Sequence, residues 1–135
     1  MPINNITEEF LSEYEYPIGT IVDFAGYHEV RMTLTDHSAR VAGVITSDTE
    51  NSLNEDLFTT VTNAVSVTMV IAGRAMCKVK GKVGKGDLLV SSDEPGIAQR
   101  LSMEKYVPGC VLGKSISNKE NDETELIQII VGTVT

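Results

Sequence analysis

Residues 73–101 read GRAMCKVKGKVGKGDLLVSSDEPGIAQRL, and the fold turns on how this stretch is parsed. Gly73 to Val79 reads as a strand, and Lys80 to Gly86 as a glycine-lysine turn. Asp87 to Ser91 is the next strand. Asp93-Glu94-Pro95-Gly96 is a four-residue turn signal ending in Pro-Gly, and Ile97 to Leu101 is its hairpin partner. Strands this short, joined by turns this close, specify a β domain.

The same grammar extends in both directions. Upstream, Thr20–Phe24, Glu29–Leu34, Val41–Thr46 and Ser66–Ala72 read as strands. Ser47 to Asp56 is a polar loop, with a helical turn near Leu53 to Phe58. Downstream, Pro108 to Ile116 and Leu126 to Val134 read as strands around the acidic loop Asn118–Glu125. Val, Ile and Thr supply 39 of the 135 residues, and β-branched side chains suit a pleated sheet better than a helix. The expectation is an all-β fold: a compact barrel or sandwich of about 8–10 short, mostly antiparallel strands with Greek-key-like connections.

Residues 1–15 differ from the rest and are read as an N-terminal arm or short helix, with 16–135 a single β domain. Asn5 and Glu8 form a capping-box-like pair. Ile6, Phe10, Leu11 and Tyr14 would share one helical face, which makes them candidate assembly contacts on a docking arm. Tyr16-Pro17-Ile18-Gly19 ends the segment.

Composition narrows the function. A 14.6 kDa chain is one domain. Its 41% hydrophobic and 22% charged content is ordinary for a soluble globular protein. No apolar run reaches membrane-spanning length, and no basic-then-apolar leader reads as a signal peptide. The net charge of −8 repels phosphates and argues against nucleic-acid binding. Trp is absent and aromatics make up 5%, so carbohydrate platforms are scarce. Cys77 and Cys110 each sit in an apolar stretch and read as reduced core residues, although a disulfide between them is open from sequence.

No motif carries catalysis. Gly109-Cys110-Val111-Leu112-Gly113-Lys114-Ser115 has one residue too few between its glycines for a phosphate loop, and it is strand-like. His28 and His37 lack zinc-ligand spacing and read as surface or turn residues. Ser47 and Ser115 could each meet a lysine, but nothing local marks either as activated. Adjacent acids such as Glu8/Glu9 and Asp122/Glu123 read as solvated faces. The one basic patch is the turn carrying Lys78, Lys80, Lys82 and Lys85. It is a candidate anion- or partner-contacting site, set against a plain tight turn kept soluble by lysine. No catalytic, cofactor or metal residues are expected.

Taken in order, several blocks resemble the C-terminal β domain of bacteriophage tail-fibre and related virion structural proteins. They are Tyr16–Phe24, Arg40–Ser47, Ala72–Gly81, Val83–Ser92 with Pro95-Gly96, Pro108-Gly109 with Leu112–Ser115, and Ile130–Gly132. The resemblance implies a non-enzymatic virion protein, of tail-fibre or capsid-decoration type, assembled in the host cytoplasm. It implies a homo-oligomer, as a homotrimer, packed against other virion proteins, with no cofactor, no nucleic acid and no membrane insertion. Two other readings follow from the same likeness: a receptor- or glycan-binding fibre-tip module meeting a host-surface receptor, and a self-cleaving chaperone-type domain.

Overall fold

The structure, a computed structural model, describes residues 5–46 and 64–132. Nine strands run in chain order: β1 Ile6–Ser12, β2 Ile21–Asp23, β3 Arg31–Met32, β4 Val41–Ile45, β5 Val65–Val79, β6 Leu88–Ser91, β7 Ala98–Arg100, β8 Gly113–Ser115 and β9 Glu125–Val131. The fold is all-β, as the β-branched composition requires. Five strands close a barrel in the order β5-β7-β6-β8-β9, with β9 returning to β5. The remaining strands extend outside it as the order β3-β2-β4-β5, with β1 also bonded to β5.

Strand β5 organises both parts. Its first half pairs with β1 and β4, and its second half pairs with β9 from Gly73↔Val131 to Val79↔Glu125. The change of partners falls at Gly73, whose φ of 115° is open to glycine and strained for other residues. The Asn5 side chain brackets the bend: Arg74 N–H donates to Asn5 Oδ1 at 3.0 Å, and Asn5 Nδ2 donates to the Arg74 carbonyl at 3.0 Å. The reading of two strands divided at Gly73 is therefore corrected to one bent strand. A glycine inside a strand marks a bend as readily as an end.

The N-terminal helix is also corrected. Ile6 to Ser12 form a strand antiparallel to β5, with Phe10 opposite Val67 and Leu11 opposite Ser66. The spacing of Ile6, Phe10 and Tyr14 fits a helix, but an isolated helix this short is marginal. The open edge of β5 offers a full ladder of backbone hydrogen bonds instead. Asn5 thus brackets a bend rather than capping a helix. The strand expected over Pro108–Ile116 shortens to β8, because Gly109 turns at φ 90° and Cys110 N–H closes onto the Val107 carbonyl. A single 3-10 turn, Met103–Lys105, was not foreseen. The helical turn expected near Leu53–Phe58 lies outside the described residues, as does Ser47.

Alternation places the cores. Cys77 and Val79 of β5 face the barrel interior with Leu89, Leu112 and the inward residues Ile127, Ile129 and Val131 of β9. In the outer sheet successive residues serve opposite sides. Ile21, Val44 and Val70 join the barrel core, whereas Val22, Ile45 and Met69 join a second cluster with Val30, Val67 and Phe10. A sheet apolar on both faces explains the near-continuous hydrophobic runs at 41–45 and 65–71. A third cluster holds Val90, Cys110 and Val111. The two cysteines are free, buried and in different clusters, so the reduced-core reading stands. Burial pushes the Cys77 thiol far up. We expect neither thiol to react with an aromatic disulfide reagent in native protein, and both to react in denaturant; rapid native labelling would contradict the packing.

Candidate functional site

The lysine turn does not converge. Strand alternation turns Lys78 and Lys80 to the outside of β5. Lys78 Nζ donates to Thr20 Oγ1 at 3.4 Å. Lys80 Nζ sits 3.0 Å from Asp93 Oδ1 and 4.0 Å from Glu94 Oε1. The hydrogen bond to Asp93 raises the ammonium pKa of Lys80 and lowers that of the carboxyl. The pair is solvent-exposed and adds little stability, but it removes Lys80 as a free anion contact. Lys82 and Lys85 are exposed on the turn, where the Lys85 N–H donates to Asn118 Oδ1 at 2.8 Å. The polar depression beside the turn mixes Lys80, Lys82 and Arg100 with Glu94 and Asp122, so its charges offset one another.

The residue that holds this turn was missed. Lys119 is buried, and its Nζ donates to the Gly81 carbonyl at 2.7 Å, the Asn121 carbonyl at 2.9 Å and Asn121 Oδ1 at 3.1 Å. Its backbone pairs with Val83. Three acceptors match the three ammonium donors. Inside an acidic loop, a lone lysine gave no sign of this role. We expect Lys119→Met to cost about 2 kcal/mol by stranding the Gly81 and Asn121 carbonyls, read as a lower urea midpoint at unchanged slope.

Of the arm residues, Phe10 packs on the second cluster and meets Phe24 edge-on, with ring centroids 5.6 Å apart. Leu11 is half-buried and tied to the β2–β3 hairpin: its carbonyl accepts from Glu29 and Val30 N–H, and its N–H donates to Glu29 Oε1. Ile6 and Tyr14 are exposed. The four are not one face, because a strand sends alternate side chains to opposite sides. Phe10 and Leu11 alone are tied to the hairpin that carries Phe24 and Tyr27.

The densest polar network lies where residues 35–40 cross the barrel. His37 lies in a turn, one of the two placements expected, but is buried there, with φ 53°, an uncommon value for a non-glycine residue. Its Nε2 accepts from Ser102 N–H at 3.1 Å, which leaves Nδ1 to carry the proton and donate to Asp36 Oδ1. Asp36 also accepts from Gln99 at 2.9 Å and from Lys105 at 3.1 Å. Burial pushes the Asp36 carboxyl up, but the His37 and Lys105 hydrogen bonds outweigh it and hold the pKa low. Ser91 Oγ takes the Ser38 N–H at 2.8 Å and donates to the Thr35 carbonyl at 2.7 Å. The sequence Asp36-His37-Ser38 mimics a catalytic triad only on paper. Nδ1 does meet Asp36, but Nε2 accepts from the Ser102 N–H instead of facing Ser38, whose hydroxyl oxygen accepts from the Arg40 N–H. Among the described residues, no three His, Cys, Asp or Glu side chains gather as metal ligands.

Beside this crossing lies a cavity of about 280 Å³ whose wall includes Asp23, Arg31, Ser38 and Arg40. Asp23 ends β2, opposite Arg31 on one side and Val41 on the other. It is buried, and its Oδ1 has no hydrogen-bond partner. Burial pushes its pKa up, opposed by the Ser38 hydrogen bond and the Arg31 and Arg40 charges. A raised folded-state pKa favours the protonated native form. That contribution is complete below the ordinary value of 3.8 and is lost as pH rises through the folded value. Asp23→Asn mimics the protonated form, so the variant should melt higher than wild type at pH 7, with the gap closing in acid. A gap that is constant with pH would show that Asp23 is not the titrating group. Compared with family models, curated proteins and solved structures, the chain matches none of them.

Proposed function

We propose that this chain is a virion-type structural protein, of tail-fibre or capsid-decoration kind, that works by assembling with copies of itself, as a homotrimer, and with other virion proteins. The reading joins the ordered sequence resemblance to one structural observation. In a chain with seven aromatic residues, five of them, Phe10, Tyr14, Tyr16, Phe24 and Tyr27, fall within eighteen positions. Phe10 meets Phe24 where the end of β1 is tied to the β2–β3 hairpin, and Tyr16 packs on the same cluster as Phe10. Tyr27 is 83% exposed, Tyr14 66% and Phe24 50%. Aromatic residues concentrated on an otherwise aromatic-poor surface suit a protein interface, where they anchor most of the binding energy.

The non-enzymatic reading is supported by His37, whose two ring nitrogens are engaged by Asp36 and the Ser102 N–H. Light scattering on the full chain, over a hundredfold range of concentration, tests the assembly. A mass of three times 14.6 kDa is expected. A monomer at every concentration, with no binding to purified particles, would remove the proposal. A slow fall in mass on prolonged incubation would favour the self-cleaving reading instead.

A further inference from the structure

The geometry points to the cavity between Asp23, Arg31 and Arg40 as a binding site for a small monocarboxylate. Four observations carry this inference. First, neither the Arg31 nor the Arg40 guanidinium makes an ion pair or side-chain hydrogen bond among the described residues, although both line the cavity. Among the described residues their charges act on Asp23 without a direct ion pair, and their planar forks match a second carboxylate. Second, among the described residues Asp23 is the only acid in the lining. An ionised carboxylate there is acceptor-only, and its Oδ1 is buried with nothing to accept from.

Third, an incoming carboxylate can share one proton with Asp23, as paired carboxyl groups do when like charges cannot both ionise. The pair then carries one negative charge, held by the two guanidiniums of the lining. The other groups facing Asp23 do not supply this proton. Arg31 and Arg40 remain charged, Ser38 is a hydroxyl, and His37 has both nitrogens occupied. Fourth, about 280 Å³ is just below the range that encloses a drug-sized molecule. Leu34 and Ala39 give the wall an apolar side. A short-chain acid fits this chemistry better than phosphate. So does the tip of an acidic side chain from a second copy, which presents the same group.

Calorimetric titration of the full chain with sodium butyrate, at pH 6.0 and 7.5 and in two buffers of different ionisation enthalpy, tests the site. Saturable one-site binding is expected, with proton uptake at pH 7.5. Arg31→Gln and Arg40→Gln should each weaken it about tenfold or more, with an unchanged circular dichroism spectrum. Asp23→Asn keeps the shape, and it should retain binding while abolishing proton uptake. If butyrate also lowers the mass of the assembled protein, an acidic side chain of a second copy is the natural occupant; if the mass is unchanged, a free acid is. No saturable binding at either pH, binding indifferent to both arginine variants, or tighter binding of inorganic phosphate would overturn the assignment.

Discussion

Gly113→Ala is expected to unfold the barrel. Gly113 is the first residue of β8, where it pairs with Leu89 of β6 on one side and Val131 of β9 on the other. A Cβ built there lands inside the van der Waals envelope of the Ile130 carbonyl oxygen, with Ile130 C and Val131 Cα also within contact distance. All three obstacles are backbone, so no rotamer change relieves them. β8 is only three residues long and joins β6 to β9. Moving it opens the seam between two strands that carry Leu89, Ile127, Ile129 and Val131 into the core. A loss above about 4 kcal/mol is expected, in the range reserved for severe core or backbone disruption. Denaturant unfolding checks it, and a variant within 1 kcal/mol of wild type, about the size of an average point mutation, would mean the seam is not as tight as described. Gly81→Ala is the contrast. Its φ of 78° strains an alanine, but a Cβ there meets nothing within 4 Å, so its cost should be limited to backbone strain of about 1–2 kcal/mol.

The second large effect concerns assembly. Tyr14→Glu with Tyr27→Glu should convert the proposed trimer to a 14.6 kDa monomer that keeps the wild-type circular dichroism spectrum. Both side chains are mostly exposed, and exposed substitutions away from caps and turns usually change stability by under about 0.5 kcal/mol. Losing two aromatic anchors while burying two carboxylates should cost at least about 4 kcal/mol of association, roughly a thousandfold in affinity. Met103→Glu, on the exposed 3-10 turn, serves as the control and should leave the mass unchanged. An oligomer that survives the double variant but falls apart with the control would move the interface to the 3-10 turn. Truncating residues 1–15 is a poorer test, because β1 covers the edge of β5 and carries Phe10 into the second cluster.

Much of the fold was legible in the chain. The strand-turn-strand grammar of residues 73–101 matches β6, β7 and the second half of β5, because turn residues and β-branched runs act locally. The segments at 21–23, 41–45 and 125–131 were readable for the same reason. The arm was not. Ile6, Phe10 and Tyr14 have helical spacing, and only the open edge of β5, supplied from sixty residues away, makes them a strand. Gly73 looked like a boundary because a bend and a break have one local signature.

The candidate sites divide in the same way. Sequence proximity assembled the lysine turn, and tertiary contacts dispersed it: Lys80 turned to Asp93 and Lys78 to Thr20. Lys119 and Asp23 carried no local mark, since a lysine in an acidic loop and an aspartate ending a strand are ordinary until neighbours bury them.

By itself, then, the amino-acid sequence determined the all-β class, the position of most turns and an aliphatic interior, because these follow from side-chain shape and short-range backbone preference. Barrel closure, the conversion of the arm to a strand, and the gathering of Arg31, Arg40 and Asp23 around one cavity were decided only by tertiary structure. Each depends on which distant backbone edges and charges come into contact, and neither propensity nor spacing along the chain encodes that.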